Sequence, residues 1–490
     1  MYLETKTWAL LPLAAALNIA GGWLASALKL PLYLDSLGTI LAACLGGPLA
    51  GAVAALISGL ISAAANSPVW LCFLPPALLV GLIAGYLSRQ GFMRNFSLAA
   101  FMGLILGLTA ALASAPITAY VLHGSSGGGT DLVVAAFRLA GLSTIHACLA
   151  QSLAVDPIDK VICCLLAQSL VAAMPTRLRG GFQNGSCLNT VETPSQLFKP
   201  HKVSLGEVDP LQLRHSGASP CGFYHPGSSF LHKLTAESKE LLLLLAIVAA
   251  LTFPLIIAWP NAQGELHYAL LAYLPALAFI FWAFSCLGNV VLPFSRTLLW
   301  TVVPLSISMI LINGFLGQTD VKLVITDNYS LNWSIQATCQ ASQTALRIAI
   351  ICEAALLLLF TTNQEDLMRS LESKGIPPKF AYAFLAAINL APQMINRAQR
   401  LLEIQAARAM PWGGTLRQKL NRLLPLVAPL VLTAAYEAEQ TALALTSRGF
   451  GATRRRTYLN SIKIPRWERL LQLTLMLIIL ALLTKLCLGF

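Results

Sequence analysis

A chain of 490 residues with 56% hydrophobic and only 11% charged residues excludes an ordinary soluble protein, whose charged share is about a quarter. Lipid must be the solvent for most of it. A formal charge of +12 in so apolar a chain belongs to cytoplasmic loops and not to a nucleic-acid surface.

Apolar runs of about 20 residues, enough to cross roughly 30 Å of hydrocarbon, recur from one end to the other. The first, around 10–28, has no clear small-residue cleavage site and leads straight into further apolar helices, so it reads as a retained span. Residues 36–65 are too long for one ordinary span, and Gly46-Gly47-Pro48 divides them. That split puts Arg89 and Arg94 on the same side as Arg177 and Arg179, as the positive-inside rule prefers. Spans are expected near 8–28, 36–46, 48–65, 70–88, 97–120 and 157–175, with both module ends cytoplasmic. Residues 131–155, which carry Arg138, His146 and Gln151, are expected as an outer-side helical loop. The Gly124–Gly129 run lacks a P-loop lysine and reads as a flexible gate.

Residues 176–231 are polar and rich in Gly, Pro, Asn and Ser without an apolar period, which is how a cytoplasmic linker reads. Two modules are therefore expected, 1–175 and 232–490. The second has candidate spans near 240–258, 268–289, 297–316, 339–362 and 468–488. Eleven cysteines lie mostly inside apolar runs, without C-x-x-C or a second cluster at ligand spacing; they read as buried thiols, with no metal site and no disulfide framework.

A charged segment, 363–465, interrupts the second module. Thr362-Asn363-Gln364-Glu365 has capping-box spacing, and Gly375 with Pro377 and Pro378 ends the helix that follows. A second helix runs from Lys379 to about Met410 with a kink expected at Pro392, and a third from about Leu423 to Leu445 stops at Ser447-Arg448-Gly449-Phe450-Gly451. Helices that end in an exposed arginine suit a mechanical coupler, because the guanidinium fork binds carboxylates and carbonyls with fixed geometry. Basic helices lying on anionic lipid are the other reading.

The stretch from Tyr224 to Leu234, with Lys239, resembles the N-terminal signature of the transmembrane T component of energy-coupling-factor (ECF) vitamin transporters. The stretch 361–367, Ala398-Gln399 with Ala407-Arg408-Ala409, and Ser447-Arg448-Gly449-Phe450 with Arg455-Arg456-Thr457-Tyr458 continue the likeness. Two ABC-type ATPase subunits are implied as partners, with Ala407, Arg408, Ala409 and Ser447, Arg448, Gly449 docking into their grooves. Ala409 stands where the family usually has glycine, and Asn389 and Asn396 where it has an arginine and a glutamate. With no Walker motif in the chain, ATP-Mg belongs to the partners and no cofactor is expected here.

Residues 1–175 resemble, in length and span number, the substrate-binding S component of the same transporters, through Leu34-Asp35-Ser36-Leu37-Gly38-Thr39, 45–51 and Asp156-Pro157-Ile158-Asp159-Lys160. Ala16 and Ala20 have small-x-x-x-small spacing; the resemblance makes them an S–T contact, and generic helix packing is the alternative. Substrate-binding candidates are Asp35, Asn66, Trp70, His146, Asp156 and Asp159, with Tyr33, His123, Arg138 and Gln151 nearby in pattern. Each has a plainer reading: Asp156 before Pro157 suits a helix N-cap, and His146 a satisfied core histidine.

The expected fold is an all-α polytopic membrane protein, a six-span S-like module joined to a T-like module of about five spans with cytoplasmic coupling helices. The expected function is an ATP-driven importer subunit for a small vitamin-like micronutrient, in the cell inner or plasma membrane with a cytoplasmic N-terminus. An ATP-independent secondary transporter or facilitator is the alternative, and would need coupling-ion sites in broken helices. No H-E-x-x-H, G-x-S-x-G or paired acids within spans point to an enzyme.

Overall fold

The computed structural model describes residues 4–27, 32–65, 68–125, 131–175, 182, 184, 225–227, 229–252, 256–260, 266–270, 273–316, 321–326, 329–407, 416–450 and 465–488. The N-terminal module holds α1 (Thr5–Ala27), α2 (Leu37–Gly46), α3 (Pro48–Ala65), α4 (Leu74–Arg89), α5 (Phe96–Pro116), α6 (Asp131–Leu139) and α7 (Thr144–Ala173). A 3₁₀ turn, Pro68–Leu71, precedes α4, and a π-helical turn, Ile117–Val121, extends α5. The break expected at Gly46-Gly47-Pro48 is present: Gly47 has φ +88, and α2 and α3 are separate helices.

Close helix approach in this module depends on glycine. A Cβ on Gly51 would lie 2.5 Å from the Gly81 carbonyl oxygen, so α3 and α4 touch backbone to backbone. Gly103 and Gly107 do the same for α5 against α7, where added Cβ atoms would lie 2.4 Å from Val161 Cα and 2.3 Å from Pro157 Cα. Polar glue completes the packing. Asn18, buried in α1, donates to Thr39 Oγ1 (2.8 Å) on α2 and Ser58 Oγ (3.1 Å) on α3, and its Oδ1 accepts from Gly38 N (2.7 Å) and Thr39 N (3.1 Å). All four hydrogen-bonding positions of that amide are filled, which is the condition for burying one.

Of the helical loop expected over 131–155, residues 131–139 form the short helix α6, while 144–155 are joined with the expected span 157–175 in one helix, α7. It runs unbroken for 30 residues, about 45 Å, through Pro157. Asp156 is therefore in mid-helix and not an N-cap.

The C-terminal half has α8 (Phe230–Lys233), α9 (Ala236–Thr252), α10 (Tyr273–Leu287), α11 (Val291–Leu316), α12 (Ile335–Thr361), α13 (Gln364–Ser373), α14 (Pro378–Ala407), α15 (Leu416–Ser447) and α16 (Arg466–Leu488). Two antiparallel hairpins, β1 (Ile256–Pro260) with β2 (Leu266–Leu270) and β3 (Val321–Thr326) with β4 (Tyr329–Trp333), join α9 to α10 and α11 to α12. They are additions to the all-helical expectation and lie outside the helical spans. Among the described residues, five helices are long and apolar enough to cross a membrane, those beginning at Thr5, Phe96, Val291, Ile335 and Arg466, and shorter apolar helices accompany them. The chain is a polytopic helical membrane protein.

The two halves pack together. The α1 helix lies along α14 and α15; the 3₁₀ turn touches α12; and α6 touches α11.

Candidate functional site

The signature stretch at 225–239 ties three helix ends together. His225 N donates to Phe360 O (2.9 Å), and its ring packs on Phe360 with centroids 5.1 Å apart. Lys239 Nζ donates to Thr361 O (2.8 Å) and Thr362 Oγ1 (3.1 Å) where α12 ends. One oxygen of Glu468 accepts from Thr235 N (2.7 Å), Thr235 Oγ1 (2.6 Å) and Ser238 Oγ (2.7 Å), which fixes the start of α16 beside the start of α9. These motif residues build a scaffold.

From that anchored end the charged segment emerges. Asn363, and not Thr362, caps α13, its Oδ1 accepting from Glu365 N (3.3 Å). Gly375, with φ +96, ends the helix as expected. The α14 helix continues through Pro392, and α15 begins seven residues earlier than the expected Leu423.

Arg397 of α14 and Glu437 of α15 form a two-pronged ion pair, with Nη1–Oε2 at 2.9 Å and Nη2–Oε1 at 2.8 Å. Despite Asn389 and Asn396, an internal ion pair of the charged segment exists, supplied by Arg397 and Glu437. Tyr382 near the start of α14 meets Phe450 beyond the end of α15, ring centroids 5.2 Å apart. These two contacts make the helices antiparallel.

The end of α15 is built as a rigid stop. Phe450 N bonds Leu445 O (3.0 Å) and Gly449 N bonds Thr446 O (3.0 Å), with Gly449 at φ +68, the left-handed geometry of a glycine C-cap. Ser447, Arg448 and Gly449 are all exposed on this stop. Of the other tripeptide, Ala407 is the last residue of α14, while Arg408 and Ala409 lie outside the described residues. Because the helices are antiparallel, Ala407 and the Ser447-Arg448-Gly449 stop lie at opposite ends of the pair, roughly 35–40 Å apart along α14.

In the N-terminal module the structure brings together three of the six substrate candidates. Asp159 Oδ1 accepts from Tyr33 N (3.0 Å) and Leu34 N (2.9 Å), and its Oδ2 from Lys160 Nζ (2.8 Å). Lys160 Nζ also reaches Asp35 Oδ1 at 3.3 Å. Asp156, one helical turn earlier, accepts from Ser114 Oγ at 3.5 Å. Asp159 is fully buried and its oxygens are engaged by the chain, whereas the Asp35 side chain is 36% exposed. Asp35 is thus the most accessible carboxylate of the three.

The cluster lies deep in the module. Only ten residues, about 15 Å, separate the start of α2 from its far end at Gly46, so Asp35 sits well inside the thickness that α3 and α7 span.

The remaining candidates lie elsewhere. His146 is exposed near the start of α7, with Nδ1 2.6 Å from Ser143 Oγ, roughly 15 Å along the helix from Asp156, so neither the core-histidine reading nor a place in the cluster holds. Trp70 is half-buried in the 3₁₀ turn, and Asn66 lies outside the described residues. Burial and the nearby Arg347 guanidinium push the His123 imidazole below its usual pKa. Ala16 and Ala20 are buried in a cluster that also holds Ala391, Met394, Ala398 and Ala435 of α14 and α15. Sequence reasoning missed Asn18, and named Lys160 only within the 156–160 stretch without giving it a role; the signal for each was a polar residue inside an apolar run.

Residues 227–459 match the family model described as cobalt transport protein, CbiQ. The C-terminal half is similar to a transporter's membrane subunit. The same half is 27% identical over 253 residues to the energy-coupling factor transporter transmembrane protein EcfT of Brevibacillus brevis, covering 49% of this chain and 88% of that protein. EcfT of Macrococcus caseolyticus is 25% identical over 272 residues, 54% of this chain and 96% of the relative. EcfT of Streptococcus equi is 26% identical over 271 residues, 53% and 92%. The EcfT-like half thus contains both the scaffold at 225–239 and the antiparallel pair α14–α15, and the family match begins at residue 227, leaving the N-terminal module outside it.

Proposed function

We propose that this chain is the membrane subunit of an ATP-driven ECF-type importer, with residues 1–175 binding a small vitamin-like micronutrient and residues 232–490 coupling its uptake to two ABC-type ATPase subunits. The observation that carries this reading is the exposed Arg448 on a glycine-capped helix end, presented by two long helices locked through Arg397–Glu437, inside the stretch similar to EcfT. A helix end delivers an arginine as a rigid unit, so movement of a partner groove is passed to α14 and α15. Those helices in turn carry α1.

In this reading α13, α14 and α15 face the cytosol and the N-terminus lies on the same side. The hairpins face outward, and the region around Asp35 receives the solute from that side. Asp159 and Lys160 hold the turn at Tyr33 and Leu34 in place. ATP-Mg is bound and hydrolysed by the partners.

The test is co-purification of ATPase subunits with the full chain from native membranes, quantified by mass spectrometry. Reversing both charges, Arg408→Glu with Arg448→Glu, is expected to lower recovered ATPase at least about 30-fold, since truncating or reversing interfacial charge pairs costs about 2 kcal/mol or more. Undiminished recovery, or accumulation indifferent to ATP, would overturn the reading.

A further inference from the structure

Much of the junction between the halves is apolar. Leu11, Ala14 and Ala15 of α1 share a buried cluster with Ala383, Ala387 and Ile388 of α14. A second cluster packs Leu122 against Leu305, Met309, Ala345 and Ile348 of α11 and α12. Beside it two basic side chains meet from opposite halves. Arg347 stands between Ala345 and Ile348 in the chain, and His123 follows Leu122. The guanidinium is close enough to the imidazole to oppose its charging. The backbone sets His123 there: Leu122 N bonds Ile117 O (3.3 Å) and Gly124 N bonds Thr118 O (2.7 Å), closing the π-helical turn, and His123 takes φ +51. A left-handed residue other than glycine persists only where its surroundings impose it, and π turns recur at functional sites.

Neither basic group has an acceptor. Among the described residues Arg347 forms no ion pair, its Nε is enclosed without a hydrogen-bond partner, and the His123 ring makes no hydrogen bond. The charged groups of α6 are engaged elsewhere: Asp131 Oδ2 accepts from Ser125 Oγ (2.8 Å) and Ser308 Oγ (3.2 Å), and Arg138 donates to Asn313 Oδ1 (3.3 Å). A half-buried guanidinium without a counter-charge is destabilising, and a second basic group across an interface adds to the cost. Water can fill the donors but leaves the charge uncompensated; an anion does both. We propose that Arg347 and His123 together bind an oxyanion, the carboxylate or phosphate of a soluble compound, at the junction of the halves. The guanidinium fork matches two oxygens of such a group, and the imidazole adds a third donor. An ion reaches the pair from the end of α5, since His123 lies just past Val121, where that apolar span stops. Each half supplies one donor, so the anion is held only while the halves are packed. The site stands whether or not the chain serves partner ATPases.

The experiment follows the His123 ring by nitrogen NMR of the full chain carrying isotope-labelled histidine, delipidated in maltoside and, separately, in phosphatidylcholine nanodiscs. Loss of a signal in His123→Gln assigns it. Inorganic phosphate and acetate are titrated against chloride at constant ionic strength. Both oxyanions are expected to move the signal saturably and, by supplying the missing negative charge, to carry the ring's titration to higher pH; chloride should do neither. Arg347→Gln should weaken phosphate binding at least about tenfold, and Arg347→Lys, which keeps the charge without the fork, by less. If Arg347→Gln fails to fold, judged by Tm and gel filtration, Arg347→Lys and the unaltered chain decide. A signal unmoved by either oxyanion, or an undiminished response in the Arg347 variants, would overturn the proposal. So would a ring that responds in maltoside and is silent in nanodiscs, because a lipid headgroup then fills the site.

Discussion

Asp159 and Asp35 are both carboxylates within reach of Lys160, yet their surroundings assign them different work. Asp159 is buried and holds two backbone N–H groups and the ammonium, so its removal leaves Lys160 with less than its charge needs and releases the turn at Tyr33. Asp159→Ala is expected to destabilise the protein by about 3 kcal/mol, the range for breaking a buried ion pair, measured as a fall in Tm of the detergent-solubilised chain. Asp35→Ala, at a partly exposed pair, should cost about 1 kcal/mol or less and should instead reduce the small molecule retained through purification. Equal losses of Tm would remove the distinction. Asp35, Asp156 and Asp159 could be picked out from sequence because acids are rare inside apolar runs. Asn18 could not be assigned a role there, since what satisfies it, Thr39 and Ser58, stands 21 and 40 residues away.

The antiparallel pair α14–α15 depends on an ion pair that is only partly shielded, each side chain being 33% exposed. Its fork geometry favours it, and its exposure limits it to about 1 kcal/mol. In a double-mutant cycle, Arg397→Glu and Glu437→Arg should each lower Tm, and the doubly reversed chain should recover most of the loss; strictly additive losses would show that the pair is idle. The start of α14 and the stop of α15 were readable because the Pro377-Pro378 pair and the glycine cap act locally, whereas the start of α15, seven residues before the expected Leu423, was not. The Gly46-Gly47-Pro48 break was readable for the same reason. The long α7 was not: Pro157 reads as a first-turn proline, and only the tertiary structure shows it lying in mid-helix against the notch left by Gly107 of α5. The β1–β2 hairpin was hidden because its residues overlap the ends of the spans expected at 240–258 and 268–289.

At the scale of the molecule, composition alone separated the two halves, and the family match beginning at residue 227 falls at the end of the polar stretch. What composition could not show is that the halves pack, since each alanine face reads as ordinary helix. If α1 holds the halves together, then cutting a protease site inserted between residues 190 and 220 should leave them co-purifying. Ala15→Leu with Ala387→Leu, which overpacks the shared cluster by about 1–3 kcal/mol per site, should release the N-terminal fragment after cutting. Fragments that part without those substitutions would show that the covalent link alone joins them. Because the two packed halves are on one polypeptide, their encounter is intramolecular, at an effective concentration far above what separate chains reach in a bilayer. A grip made of methyl groups is then strong enough, and every copy inserted into the membrane arrives with a one-to-one stoichiometry that needs no matched expression of a second gene.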